Sequence, residues 1–307
     1  MMSHLTYPEA LVVGLFQGVT ELFPVSSLGH SVLVPALLGG RWARDLDVSA
    51  PESPYLAFIV GLHVATAVAL LLFFWRDWVR ITGGLLTSVR DRRVETSDQR
   101  LAWLVILATI PVGATGLVLE HLFRTTLGRP IPAAVFLTVN GAVLYAGERL
   151  RRRASREADA VVAASLGHTE TALAVGSDQR IAALRYGEAV LIGTAEILAL
   201  LPGISRSGVT MVAGLLRGLS HEDAARFSFL LATPVILAAG LLKVPDLFGP
   251  LGAGIGGQVL AGSAVSGVSA YLAVRLLTRY FQTRTLTPFA VYCALAGLGS
   301  LAWLTLR

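Results

Sequence analysis

The sequence predicts an all-α polytopic membrane protein arranged as an inverted-topology repeat, each half one re-entrant helix hairpin plus three transmembrane helices. Three observations lead there. Of 307 residues, 54% are hydrophobic and only 15% charged, and mean hydropathy is +0.66; soluble domains carry roughly 25% charge. Several apolar runs approach the roughly 20 residues that cross a bilayer as a helix. Two further apolar stretches are interrupted midway by Pro, Ser and Gly, which remove a backbone donor and permit tight turns.

The same composition excludes other classes. Disorder requires low hydrophobicity and high net charge. A disulfide scaffold is ruled out because Cys293 is the single cysteine. The net charge of +5 does not point to nucleic acid. The basic residues, all arginine but for Lys243, fall mainly in short polar gaps between apolar runs, as cytoplasmic loops require. No basic segment precedes the first apolar stretch, which Gln17 and Glu21 interrupt, so a cleaved signal peptide is not expected.

In chain order, the first half (1–150) begins with a hairpin over 8–38, broken at Pro24-Val25-Ser26-Ser27-Leu28-Gly29-His30, and continues with spans near 55–75, 101–119 and 131–146. A connecting loop follows over 151–185. The second half (186–307) repeats the order: a hairpin over 186–216, broken at Pro202-Gly203-Ile204-Ser205-Arg206-Ser207-Gly208, then spans near 224–242, 256–277 and 288–306. Three spans per half invert the second copy relative to the first. With the loop 76–100 placed in the cytoplasm, the arginines of 149–185, Arg217, Arg226, Arg275, Arg279 and Arg284 fall on that side too. Arg41, Arg44, Arg124, Arg129, Lys243 and Arg307 fall outside, and Arg206 is left within the membrane. Both termini are then outside. The first hairpin enters from outside and the second from the cytoplasm, so their tips meet near the midplane. The Ala-, Arg-, Glu- and Ser-rich stretch 149–185 reads first as a solvated loop, with a partner-binding or surface-lying helix as the second reading.

Ionisable groups inside apolar segments are costly and mark functional candidates. Away from segment ends these are Glu21, His30, His63, Glu196 and Arg206. Gln17 and Glu21, four apart, share one helix face, and Ser27 and His30, three apart, share another. Ser26 and Ser27 stand where the second half-helix opens, with its free N–H groups and positive dipole end, a seat for an anion. Gly203, Ser205, Ser207 and Gly208 surround Arg206, whose guanidinium can grip phosphate oxygens in pairs. Plainer readings stand beside these. The serines are also good helix caps, Glu21 and Arg206 could form a structural ion pair, and His63 is as well suited to packing as to function. Glu120, His121 and His221-Glu222-Asp223 lie at helix ends. The Gly249–Gly257 run lacks a nucleotide-binding context, and HExxH spacing is absent.

Gln17-Gly18-Val19-Thr20-Glu21-Leu22-Phe23-Pro24-Val25-Ser26-Ser27-Leu28-Gly29-His30 resembles the first signature of the bacterial undecaprenyl-diphosphatase family, associated with bacitracin resistance. Leu201 to Thr210 resembles its second signature, and Ala225 to Pro234 an adjacent third pattern. The resemblance spans nearly the whole chain. It implies a plasma-membrane phosphatase that converts a C55 lipid diphosphate to the monophosphate carrier used in cell-wall synthesis, its site opening to the outer side. By motif position the important residues are Glu21, Ser27, His30 and Arg206, with Ser26 and Ser205 in support. Gln17 stands where relatives often have Glu, and Glu196 where they usually have Gln, as if a carboxylate had moved between hairpins. Ser27 is the expected nucleophile, with Glu21 as base or as ligand for a divalent cation, Mg²⁺ or Ca²⁺. His30 is the proton donor or the nucleophile itself. Substrate contacts are expected from Ser26, Gln17, Glu196, Gly203, Ser205, Ser207 and Gly208. Partners are the polyprenyl diphosphate, the bilayer and a second copy in a homodimer. Another class of lipid phosphatase needs a His about six residues after its Arg; Val212 occupies that place. The alternative function is a flippase for the lipid carrier. The shared-site reading requires Arg206 to lie roughly 4–8 Å from the Ser27 hydroxyl.

Overall fold

A computed structural model of the chain describes residues 5–46, 54–165, 176–249 and 252–306. All regular structure among them is helical. The helices are α1 (Tyr7–Thr20), α2 (Ser27–Leu38), α3 (Gly40–Asp45), α4 (Pro54–Phe73), α5 (Trp75–Asp91), α6 (Ser97–Leu127), α7 (Pro130–Ser165), α8 (Ser177–Ala182), α9 (Tyr186–Ala195), α10 (Arg206–Leu216), α11 (His221–Phe248), α12 (Gly256–Tyr280) and α13 (Thr287–Leu306), with a 3₁₀ turn over Glu196–Leu200. Five of them contain stretches long and apolar enough to cross a membrane: Ser97–Leu119, Pro130–Arg153, His221–Pro245, Gly256–Tyr280 and Thr287–Leu306. A sixth is reached if α4 and α5 count together, although they bend by 84° at Phe74. The protein is a multi-spanning helical membrane bundle.

Small residues bring helices of the bundle into close contact, the packing mode available where lipid removes the hydrophobic drive between helices. A Cβ on Gly18 of α1 would stand 2.1 Å from Ser269 Oγ of α12, and one on Gly141 of α7 2.7 Å from the amide of Ala294 on α13.

The two broken stretches meet. In the first, α1 ends at Thr20, Glu21–Val25 turn, and Ser26 takes a left-handed backbone (φ 71°) before α2 begins. In the second, α9 tightens into the 3₁₀ turn, Gly203 takes φ 113°, and α10 begins at Arg206. Ser26 Oγ accepts the amide of Gly29 in its own helix and the amide of Gly203 across the junction, both at 3.2 Å. Asn140 of α7, wholly buried, ties both breaks to one side chain: its Nδ2 donates to Pro24 O (3.1 Å) and its Oδ1 accepts from Ser205 N (3.0 Å).

Two polar segments differ from the sequence expectation. The loop 76–100 contains α5, an amphipathic helix that buries Ile81 and Ser88 and exposes Trp75, Val79, Leu86 and Val89. Its arginines hide this pattern in a plain reading of polarity. In the connecting segment α7 runs on to Ser165, because Ala, Arg and Glu are strong helix formers. Residues 166–175 of that segment, 250–251 of the glycine-rich run and Arg307 lie outside the described residues, as do the side chains of Glu120, His121 and Arg124.

At the arginine-rich end of the bundle, charges fasten short elements to long ones. Asp178 of α8 accepts from Arg80 of α5 (2.6 Å) and Arg226 of α11 (2.7 Å), and Arg180 reaches Asp223 of α11 at 2.7 Å. Burial alone would raise the Asp178 carboxyl, but the Arg226 and Arg80 guanidiniums hold it below the usual carboxylate range.

Candidate active site

The facing breaks border a cavity of about 390 Å³ whose polar lining includes Gln17, Glu21, Ser27, His63, Glu196 and Arg206. Its remaining wall is largely aliphatic, from α4, α6 and α11, and extends to Lys243 near the end of α11. Such a cavity combines an apolar wall for a hydrocarbon chain with a few convergent polar groups.

Glu21 is the centre of the polar group. Ser27 Oγ donates to its Oε2 at 2.5 Å, and Gln17 Nε2 donates to the same oxygen at 3.0 Å. Arg206 Nη2 donates to the other oxygen, Oε1, at 3.1 Å. Arg206 and Ser27 therefore share one carboxylate, which keeps Nη2 and Oγ within about 8 Å of one another. A serine hydroxyl on a carboxylate, next to a guanidinium held by that carboxylate's second oxygen, has the chemistry to act as a nucleophile–base pair beside an anion clamp. The two halves of this constellation come from separate ends of the sequence, 185 positions apart for the Glu21–Arg206 contact.

Comparison of the whole chain with known proteins shows its family. Residues 10–299 match the family described as Bacitracin resistance protein BacA. The chain belongs to this family. It is 72% identical, over the full length of both chains, to a protein of Mycolicibacterium paratuberculosis named Undecaprenyl-diphosphatase. A Mycobacterium avium protein of the same name is 71% identical over the full length of both. The Frankia casuarinae protein named Undecaprenyl-diphosphatase 1 is 56% identical, covering 96% of this chain and 97% of its own.

Within this BacA-family chain the remaining expected residues divide. Gln17 and Glu196 line the cavity with Glu21. Ser26 and Ser205 line it too, but their hydroxyls are engaged as caps, accepting the amides of Gly29 and Gly208 respectively. Ser207 donates to Phe23 O at 3.2 Å and so braces the first break rather than the cavity. Gly203 and Gly208 serve close packing: a Cβ on Gly203 would lie 2.5 Å from Ala133 O, and the Gly208 amide is taken by the Ser205 cap.

His30 does not join Ser27 at the cavity. Its Nδ1–H donates to Ser26 O (2.7 Å), and its Nε2 meets the Tyr292 hydroxyl of α13 (2.7 Å), with the two rings stacked. Three residues along a helix leave the two directions about 60° apart, and that offset turns Ser27 to Glu21 and His30 to Tyr292 of α13. The histidine at the cavity is His63. Its Nδ1–H donates to Ile59 O (2.9 Å), which leaves Nε2 to accept from Gln17 Nε2 (3.3 Å), 3.6 Å from Glu21 Oε2. Asn140 was not among the sequence candidates. Its signal was an amide inside an apolar run, which is stable there only if both of its polar ends are satisfied.

Proposed function

We propose that this chain hydrolyses undecaprenyl diphosphate to undecaprenyl phosphate and inorganic phosphate, recycling the lipid carrier of cell-wall synthesis and so conferring bacitracin resistance. The observation that carries the reading is the Ser27–Glu21–Arg206 constellation at the head of a largely aliphatic cavity. The names of the full-length relatives support the same activity. A flippase would need an anion seat but not a hydroxyl hydrogen-bonded to a carboxylate base.

In the first step Ser27 Oγ attacks the terminal phosphorus while its proton passes to Glu21 Oε2. The bond from that phosphorus to the bridging oxygen breaks, and its electron pair leaves with undecaprenyl phosphate. Arg206 and the amides opening α2 stabilise charge on the transferring group. Water then attacks the phosphoserine, the P–Oγ bond breaks, and Oγ recovers the proton held by Glu21. His30, fixed between Ser26 and Tyr292, holds the break in shape.

A divalent cation taken up with the diphosphate needs only one or two protein carboxylates. The donor set fits that mode: Glu21 faces the cavity, while no group of three His, Cys, Asp or Glu side chains that could hold a metal occurs among the described residues. As the alternative to its role as base, Glu21 would hold Mg²⁺ or Ca²⁺, which would neutralise part of the phosphate charge.

We read α1–α2 and α9–α10 as re-entrant hairpins of an inverted repeat. At 14, 12, 10 and 11 residues, each half-helix is shorter than a span. In the charge-based topology, with both termini outside, the Lys243 end of α11 is the outer end, so the cavity opens toward the periplasmic side. The same reading retains a homodimer as the partner arrangement. The test of function is direct: purified protein in detergent, supplied with undecaprenyl diphosphate and Mg²⁺ or Ca²⁺, should release phosphate, and Ser27→Ala should not. Absence of phosphate release by the wild-type protein in both cations would refute the enzyme reading.

A further inference from the structure

The steps above leave open where the proton of the hydrolytic water goes, and two buried groups at the cavity bear on it. Glu196, at the head of the 3₁₀ turn, is fully buried (0%). Its Oε1 accepts from Thr210 Oγ1 at 3.1 Å, while Oε2 has no hydrogen-bond partner among the described residues. Arg206 holds Glu21 through Nη2, while its buried Nη1 likewise has none. Both side chains line the same cavity, yet no ion pair joins them among the described residues.

A buried polar atom without a partner is costly and calls for an explanation, and at a cavity wall a water, ion or ligand atom can supply it. The donor and acceptor inventory narrows that ligand. A guanidinium nitrogen only donates and an ionised carboxylate only accepts. A fully ionised phosphate oxygen satisfies Arg206 but is repelled by Glu196. A group serving both must accept from one and donate to the other, as water does. The Gln17 amide donates to Glu21, so the carboxylates lining the cavity are Glu21, bonded to Ser27, and Glu196, bonded to neither Ser27 nor Glu21.

We propose that Glu196 is a further catalytic residue: with Arg206 Nη1 it seats the water that hydrolyses phosphoserine 27, and its Oε2 takes that water's proton. This rests on the phosphoserine reading above. The water oxygen forms the new bond to phosphorus, the P–Oγ bond breaks, and Ser27 Oγ takes the proton stored on Glu21. Glu196 then passes its proton to the departing phosphate or to solvent.

The test separates the two half-reactions. Glu196→Gln keeps the shape and a contact to Thr210 but cannot accept the proton. In rapid-quench assays with undecaprenyl diphosphate it should release about one equivalent of undecaprenyl phosphate per active chain in a burst. Release of inorganic phosphate should then be slower than wild type by about 100-fold or more. Intact-mass analysis should find one phosphoryl group, mapped to Ser27. Glu196→Ala should behave alike, and added formate should accelerate its phosphate release, a rescue that a merely structural role would not give. Wild-type turnover in Glu196→Gln would overturn the proposal. So would equal slowing of both products without phosphoenzyme, or failure of formate to act on a folded Glu196→Ala protein. If Ser27→Ala turns over normally and no variant becomes phosphorylated, the phosphoserine reading itself falls, and this proposal with it.

Discussion

Replacing Asn140, which does not itself line the cavity, by Ala should loosen the junction between the two breaks. The side chain is wholly buried and holds Pro24 O at 3.1 Å and Ser205 N at 3.0 Å. Alanine leaves the Ser205 amide without a partner and Pro24 O with only the weak Cys293 Sγ donor at 3.7 Å. An orphaned buried group costs about 1–3 kcal/mol, and the Ser205 amide alone carries that cost. That exceeds the about 0.6 kcal/mol typical of a hydrogen bond between spanning helices. The difference has a cause. In a regular helix a polar side chain released from its partner can turn back to its own backbone, whereas Pro24 O and Ser205 N sit in breaks with no helical partner of their own. Activity should fall too, because Ser205 immediately precedes Arg206 and Pro24 lies three residues before Ser27. The assay is a denaturant-unfolding midpoint of the detergent-solubilised protein alongside phosphate release. If Asn140→Ala retained both the wild-type midpoint and the wild-type rate, this side chain would not be what joins the breaks.

Three further outcomes follow from the same geometry. Arg206→Lys should lower kcat by about 100-fold or more, the scale of losing one oriented donor to transferring charge, while leaving the unfolding midpoint nearly unchanged. An ammonium cannot reproduce the planar fork. Gly29→Ala should cut phosphate release, because its Cβ would come within 2.8 Å of Gly203 Cα and push the breaks apart; Gly83→Ala, with nothing within 4 Å of the new Cβ, is the matched control and should keep wild-type activity. Asp178→Asn should destabilise the protein at neutral pH. The Asp178 carboxyl is held below its ordinary value of 3.8, so its contribution is present above that value and fades as pH falls through the lower folded value. Unfolding midpoints of wild type and variant should therefore differ at pH 7 and converge in acid; a difference that persists unchanged at low pH would refute the ion-pair account.

Much of the bundle is legible in the sequence because hydrophobic length is a local property. The apolar runs near 101–119, 224–242, 256–277 and 288–306 each fall inside a helix that the structure makes longer, since polar residues at the ends extend a helix without altering its apolar core. What was hidden is amphipathic structure among charges. Trp75, Val79, Leu86 and Val89 recur at helical spacing, but Arg76 and Arg80 between them and Arg90 just beyond lower the average hydropathy to that of a loop. Helical phase was equally hidden. His30 and His63 are both lone histidines in apolar segments, and only the packing of α2 against α13 and of α4 beside α1 decides which ring meets the cavity.

The serines of the two breaks show why capping and chemistry are not competing explanations there. Ser26 and Ser205 are the N-caps: each accepts the amide three residues on, from Gly29 and from Gly208. Because the cap position is filled, the next residue, the first of each helix, has no capping duty. In α2 that residue is Ser27 and in α10 it is Arg206, and both reach Glu21, one at each carboxylate oxygen. Moving the cap forward by one residue would consume the Ser27 hydroxyl in local backbone bonding. The left-handed backbone at Ser26, an unfavourable conformation for a side-chain-bearing residue, has a role in this geometry: it places the capping hydroxyl between Gly29 N and Gly203 N, leaving the neighbouring hydroxyl aimed at the carboxylate. Local strain at one serine and availability of the next are therefore one structural solution.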